Sequence, residues 1–157
     1  MAISPNDDFS AGQVLTAIEC NQWPRGVMAL TKATATDATV TTEEVQITSS
    51  SFTAVANRYY KITYFEPAMS VNTASVVFTL NIRQGTTTAG TQLAQALVVN
   101  TSGSIFNATE GICYAVTTFS AGATQVCATL ACNSGTASAS RSATQAAFIL
   151  VEDIGTA

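Results

Sequence analysis

The run Arg58-Tyr-Tyr-Lys-Ile-Thr-Tyr-Phe65 constrains this chain more than any other stretch. Aromatic and β-branched residues fill it, and such residues fit a pleated, half-buried surface. At the period of two that a strand imposes, Tyr60, Ile62 and Tyr64 share one face, and Tyr59, Lys61, Thr63 and Phe65 the other. A second run, Val76 to Arg83, alternates more cleanly: Val76, Phe78, Leu80 and Ile82 against Val77, Thr79, Asn81 and Arg83. The pair is expected at the centre of one sheet, with further strands laid beside or over it.

Those further strands follow the same rule. Arg25 to Ala33 sorts Val27, Ala29 and Thr31 from Met28 and Leu30; Glu43 to Ser49 points Val45 and Ile47 inward; Ser51 to Val55 carries Phe52. Residues 34–42 read as a loop or a weak edge strand. Ala56-Asn57 is expected to close a tight hairpin onto Tyr59, since Asn tolerates positive φ. Glu66-Pro67 is expected to stop the strand that begins there. Gln92 to Asn100 is a strand around Leu93, Leu97, Val98 and Val99, and Ile105-Phe106 a short buried anchor. Ile112 to Phe119 and Thr124 to Cys132 read as a hairpin that sets Cys113 opposite Leu130 and Val116 opposite Cys127. The last strand, about Arg141 to Glu152, is apolar on both faces of its second half, so it is central or meets another subunit. Eight to ten short strands between turn signals, with no long helix, predict an all-β fold: an antiparallel β-sandwich of jelly-roll type.

Residues 1–24 break the alternation and read as an extended N-terminal arm ahead of a sandwich domain spanning 25–157. Thr16 and Glu19 form a capping box for one helical turn, which Asn21 closes and Pro24 forbids to continue. Phe9, Val14, Leu15, Ile18 and Trp23 are many large apolar groups for a free tail. The arm therefore folds back on its own domain or docks on a neighbouring chain, and these five are the candidate partner-binding residues.

Composition narrows the role. Only 10% of the 157 residues are charged, against about 25% in ordinary domains. Hydrophobic residues are 47%, so this is not the composition of a disordered chain. A Thr-rich, charge-poor surface belongs to an ordinary β-protein or to one buried against other chains, because interface cores are depleted of charge; the second reading is preferred. The net charge is −4 and the six basic residues are scattered, so nucleic-acid binding is not expected. The acidic, polar start is unlike a secretory signal, and no apolar run approaches the ~20 residues of a membrane-spanning helix. A chain made in the cytosol, without membrane attachment, is the expectation.

Cys20, Cys113, Cys127 and Cys132 include no close C-x-x-C pair, and there is no histidine. Cys113 and Cys127, in apolar strands, are expected to be small buried hydrophobes with free thiols, and neither disulfides nor zinc is expected. Without histidine the usual general base is missing. Acids pair only as sequence neighbours (Asp7-Asp8, Glu43-Glu44, Glu152-Asp153), which point to opposite faces of a strand and cannot flank one bond. Neither an enzyme nor a cofactor is expected. Asn100-Thr-Ser and Asn107-Ala-Thr are chance sequons in an Asn/Thr-rich chain.

Two segments carry a resemblance. Phe9-x-x-Gly12-x-x-Leu15-Thr16-Ala17-x-x-x-Asn21-x-x-Pro24-Arg25-Gly26 resembles the N-terminal segment of small structural proteins of tailed bacteriophages. Phe52, the run Asn57 to Tyr64, Arg83-x-Gly85 and Val151-Glu-Asp-Ile-Gly155 are similar to the β-domain that follows it. Where that helix usually carries an apolar residue before the asparagine, this chain has Cys20. The resemblance implies a virion protein, assembled in the host cytoplasm, forming a homotrimer. Its partners would be the major capsid protein or other virion proteins. The favoured role is a capsid decoration (cement) protein; the alternative is a tail fibre or minor tail protein with a receptor-binding β-sandwich displaying aromatic side chains. Tyr59, Tyr114 and Phe119 are the candidates for that display, though each reads more simply as core.

Overall fold

The computed structural model describes residues 14, 17–73, 75–101 and 107–157, without the side chains of Ile18 and Glu19. Among these residues a short helix, α1 (Ala17–Gln22), precedes twelve strands. They are β1 (Gly26–Ala33), β2 (Asp37–Val40), β3 (Glu44–Thr48), β4 (Phe52–Ala54), β5 (Arg58–Val71), β6 (Val76–Gln84), β7 (Gln92–Asn100), β8 (Thr109–Thr118), β9 (Gly122–Thr124), β10 (Val126–Cys132), β11 (Ala137–Ala139) and β12 (Ala147–Thr156). One sheet runs β1-β12-β5-β11-β2, with β8 on the other side of β5; the second runs β3-β10-β6-β7; β4 and β9 pair as a small third sheet.

The pairings are nested. β6 pairs β7, β5 pairs β8, β3 pairs β10 and β1 pairs β12, all antiparallel. The chain is thus one long hairpin, with its tip at residues 85–91, rolled so that successive pairs fall in opposite sheets. That is the jelly roll expected from the strand pattern.

Alternation places the core between the sheets. Tyr60, Ile62, Tyr64, Ile149 and Val151 come from one sheet, and Phe78, Leu80, Ile82, Val126 and Leu130 from the other; all are fully buried. Each large side chain hidden this way contributes about 1.5–3 kcal/mol. Phe52, Tyr60 and Phe119 close one end, with ring centroids 5.5–5.9 Å apart.

Several expectations are corrected. The two runs that open the sequence argument, now β5 and β6, do not lie side by side. They are central strands of opposite sheets, and their apolar faces meet across the core. Pro67 does not end β5. The pairing with β8 skips between Glu66 and Met69, and the proline sits in that irregularity, where its missing N–H leaves no ladder bond unmade. β5 continues to Val71 and exchanges β12 for β11 as its neighbour. Asn57 does adopt positive φ, 60°, but β4 pairs β9 instead of folding back on β5.

The hairpin expected between residues 112–119 and 124–132 does not form. β8 pairs β5, setting Cys113 opposite Tyr64, and β10 lies between β3 and β6, setting Cys127 opposite Arg83 and Thr48. All four cysteines are free; Cys20 is exposed and the other three are buried. The last strand starts at Ala147 rather than near Arg141, and passes Glu152 to reach Thr156. Between β1 and β5 it is central. Register slips move two further residues. The one at Met28 puts Val27 outward with Leu30 and Lys32, and the one between Ala128 and Thr129 exposes Val45. A one-residue slip reverses the face of everything beyond it.

Candidate interaction surface

Residues 21–23, just ahead of β1, are tied to the sandwich. The Arg58 guanidinium, at the start of β5, donates to both oxygens of Asp153 on β12, at 2.5 and 2.7 Å. It also donates to the backbone carbonyls of Asn21 and Trp23. Both side chains of the pair are buried, at 3% and 0% exposure. Asp153 accepts a further bond from the Gly155 N–H at 3.0 Å. Burial alone would raise the Asp153 carboxyl, but the bonds from Arg58, Gly155 and the Arg25 backbone, with the Arg58 charge, outweigh it and hold the group below its ordinary value. The last residues before β1 are therefore clipped to the sandwich, while Val14, Ala17 and Cys20 ahead of them are exposed.

Of the five candidate partner-binding residues, Val14 is 82% exposed and Trp23 41% exposed. Phe9, Leu15 and the side chain of Ile18 lie outside the described residues. So do Thr16 and the side chain of Glu19, the expected capping pair; α1 runs Ala17–Gln22, through Asn21. The expected anchor Ile105-Phe106 also lies outside them.

The two outer sheet faces differ in chemistry. On the β3-β10-β6-β7 sheet, Glu43 accepts from Arg83 at 2.6 and 2.8 Å, Thr129 Oγ1 at 2.6 Å and Asn81 at 2.9 Å, and Asn81 accepts from Gln95. The Arg83 bonds and the Thr129 and Asn81 bonds hold Glu43 below its usual range against the opposing effect of burial. Around Glu43 this face is satisfied by its own network, while Val45, Leu97 and Val99 stand exposed on the same sheet.

The outer face of β1-β12-β5-β8 is apolar. Register gives three cross-strand rows: Lys32, Phe148, Phe65, Ile112; Leu30, Leu150, Thr63, Tyr114; and Val27, Glu152, Lys61, Val116. Tyr114 is 66% exposed and Tyr59, at the rim, 36%, so these two are not core; Phe119 is. The signal for this face lay in the alternation of Ile112, Tyr114 and Val116 with the buried Cys113 and Ala115, although Tyr114 was expected in the core. Beside it, where β7 meets β8, a groove of about 340 Å³ is lined by Phe65, Leu97, Val98 and Ile112, with Glu110 at its mouth.

A second buried polar cluster lies within the sandwich. Arg141 donates to both Glu66 oxygens, at 2.8 and 2.6 Å, and to Gln46, while the Tyr64 hydroxyl donates to Glu66 at 2.8 Å. Burial, with the neighbouring Glu66, pushes the Tyr64 phenol well above its ordinary value. Every buried side-chain polar atom among the described residues has a partner, and no three of their Cys, Asp or Glu side chains gather as metal ligands. No helix among them is long and apolar enough to cross a membrane. What these arrangements offer is contact surface.

No family model matches the chain, and no curated protein matches it. Solved structures similar to it include the Eiger TNF of S. frugiperda, 9% identical with a TM-score of 0.43, over 86% of this chain and 94% of that one. Two strains of infectious bursal disease virus follow. The Gx strain is 15% identical with a TM-score of 0.32, over 80% of this chain and 32% of its own; the Gt strain is 14% identical with a TM-score of 0.28, over 99% and 45%. The present chain spans less than half the length of either virus protein. The assignment of an antiparallel jelly roll rests on the strand order and register of the chain itself.

Proposed function

We propose that this chain is a bacteriophage virion structural protein, a capsid decoration (cement) protein that binds the assembled capsid and stabilises it as a homotrimer. The observation that carries the reading is the largely apolar outer face of β1-β12-β5-β8, on which Leu30, Ile112, Tyr114 and Val116 are at least half exposed. The resemblance of residues 9–26 and of the β-domain motifs to small phage structural proteins supports it. In this account residues 1–24 reach from the Arg58–Asp153 clip to the major capsid protein, with Phe9, Val14, Leu15, Ile18 and Trp23 as the contacts.

The mechanism is thermodynamic. A protein that binds only the assembled lattice stabilises it by mass action, by about 2.7 kcal/mol per site at a hundredfold excess over Kd. The test adds the purified chain to phage capsids lacking it and follows their thermal disruption. Disruption moves to higher temperature, and the chain without residues 1–24 has a weaker effect. If the full chain neither sediments with capsids nor shifts their disruption, the reading fails.

The exposed Tyr59 and Tyr114 favour a second reading, a receptor-binding module of a tail fibre. Its signature is a few copies per particle and binding to host-cell surface glycans that is lost in Tyr114→Ala.

A further inference from the structure

The outer face of β1-β12-β5-β8 leaves several large apolar side chains uncovered. Val27, Leu30, Ile112, Tyr114 and Val116 are each half to two-thirds exposed. The partly covered Phe65, Phe148 and Leu150 lie beside them in the same cross-strand rows, with Tyr59 at the rim. Contiguous apolar patches of this kind mark contact surfaces.

The edge of this face is equally unprotected. β8 pairs only with β5 among the described strands, and from Gly111 to Thr118 it contains no charge and no proline. β7, the adjacent edge of the other sheet, has neither over its whole length and exposes Leu97 and Val99. Edge strands that stay single are usually blunted by such residues.

Charge points to the occupant. The face and its rim hold Lys32 and Lys61 against Glu110 and Glu152, two of each sign, and Lys61 and Glu152 lie 3.8 Å apart. The patch is neutral although the chain carries −4. Two copies of it meet without like-charge repulsion, whereas a strongly charged partner finds no counter-charge there.

We infer that the outer face of β1-β12-β5-β8 is the self-association surface of the protein, covered by a second copy of this chain and centred on Tyr114. This rests on the reading of a multi-copy structural component and says which side of the sandwich faces its sister chains. The β3-β10-β6-β7 face and the arm are then left for other contacts.

The experiment measures the solution mass of the full chain by sedimentation velocity at micromolar concentration. Three forms are compared: the unaltered protein, Tyr114→Lys on the proposed surface, and Gln92→Lys on the opposite sheet. The unaltered chain and Gln92→Lys run as oligomers. Tyr114→Lys, with unchanged β-type circular dichroism, weakens association at least about thirtyfold, the loss expected of a central aromatic anchor, and runs as single chains. Should Tyr114→Lys lose its β signal, Val116→Lys on the same face gives the reading instead.

An unaltered chain that is monomeric overturns the inference, as does a folded Tyr114→Lys that associates as tightly as the unaltered chain. A monomeric chain whose capsid binding is abolished by Tyr114→Lys assigns the face to a capsid subunit, which also overturns it. Oligomers that dissociate as described but never bind capsids uphold the inference and sink the decoration role.

Discussion

Arg58 and Asp153, 95 residues apart in the chain, form a buried two-bond ion pair whose arginine also holds the carbonyls of Asn21 and Trp23. One side chain thereby ties the end of the arm, the start of β5 and the end of β12 together. Removing one partner of a buried pair strands the other charge, at a cost of about 3–5 kcal/mol. Arg58→Ala is expected to lower the unfolding free energy measured in urea by that amount. Trp23 is the single tryptophan, so loss of its tether is also expected to shift its fluorescence to longer wavelength before global unfolding. An unchanged emission maximum would mean that the clip does not hold the arm.

The same pair sets an acid limit. The Asp153 pKa is depressed in the folded chain, so the unfolded chain binds the proton more readily. Its stabilising contribution is complete above the ordinary carboxylate value, about pH 4, and is lost as pH falls below that through the depressed native value. Glu43, also depressed, acts in the same direction. Thermal midpoints are expected to be flat for these groups above about pH 5 and to fall below pH 4, with a shallower fall in Asp153→Asn, which starts from a lower midpoint.

Tyr64 and Glu66 provide a third check. The Tyr64 hydroxyl donates to a fully buried carboxylate, and hydrogen bonds to charged groups contribute about 1.5–3 kcal/mol. Tyr64→Phe is expected to lower the unfolding free energy by that amount with an unchanged denaturant slope, since the ring still fills its place in the core.

The thiols separate by burial. Desolvation raises the Cys113 thiol to about 11 and also raises Cys127, and the thiolate is the reactive form. At pH 8 iodoacetamide is expected to modify Cys20 quickly, while Cys113, Cys127 and Cys132 react only when urea opens the sandwich. Mass spectrometry of the alkylated chain reads the difference.

The period of two carried the fold class, because a residue's alternation in a strand reports directly whether one face is buried. It did not carry pairing. Only β6 and β7 pair across a short local loop; β5 finds β8, β3 finds β10 and β1 finds β12 over long intervals of chain. Reading neighbours as hairpins therefore misplaced Phe52 and Cys127. The bulge at Met28 that turns Val27 outward has no marker in the local sequence. Glu66 and Arg141 were invisible as partners for the same reason, and Pro67 read as a stop because its irregular neighbour strand was unknown.

The interaction surface was legible as an excess, not as a place. Few charges favoured burial against other chains and the doubly apolar final strand is central, yet Tyr59 and Tyr114 read as core until β5 and β8 were placed. The clip between Asp153, Arg58 and the carbonyls of Asn21 and Trp23 depends on contacts that no local pattern encodes.

The central claim is that this jelly roll serves by covering a lattice, many copies at a time. Quantitative mass spectrometry of purified virions, counting this chain against the major capsid protein, tests it most directly. The account predicts hundreds of copies per particle, in a fixed ratio to the capsid subunit. A handful of copies, or none, would contradict it.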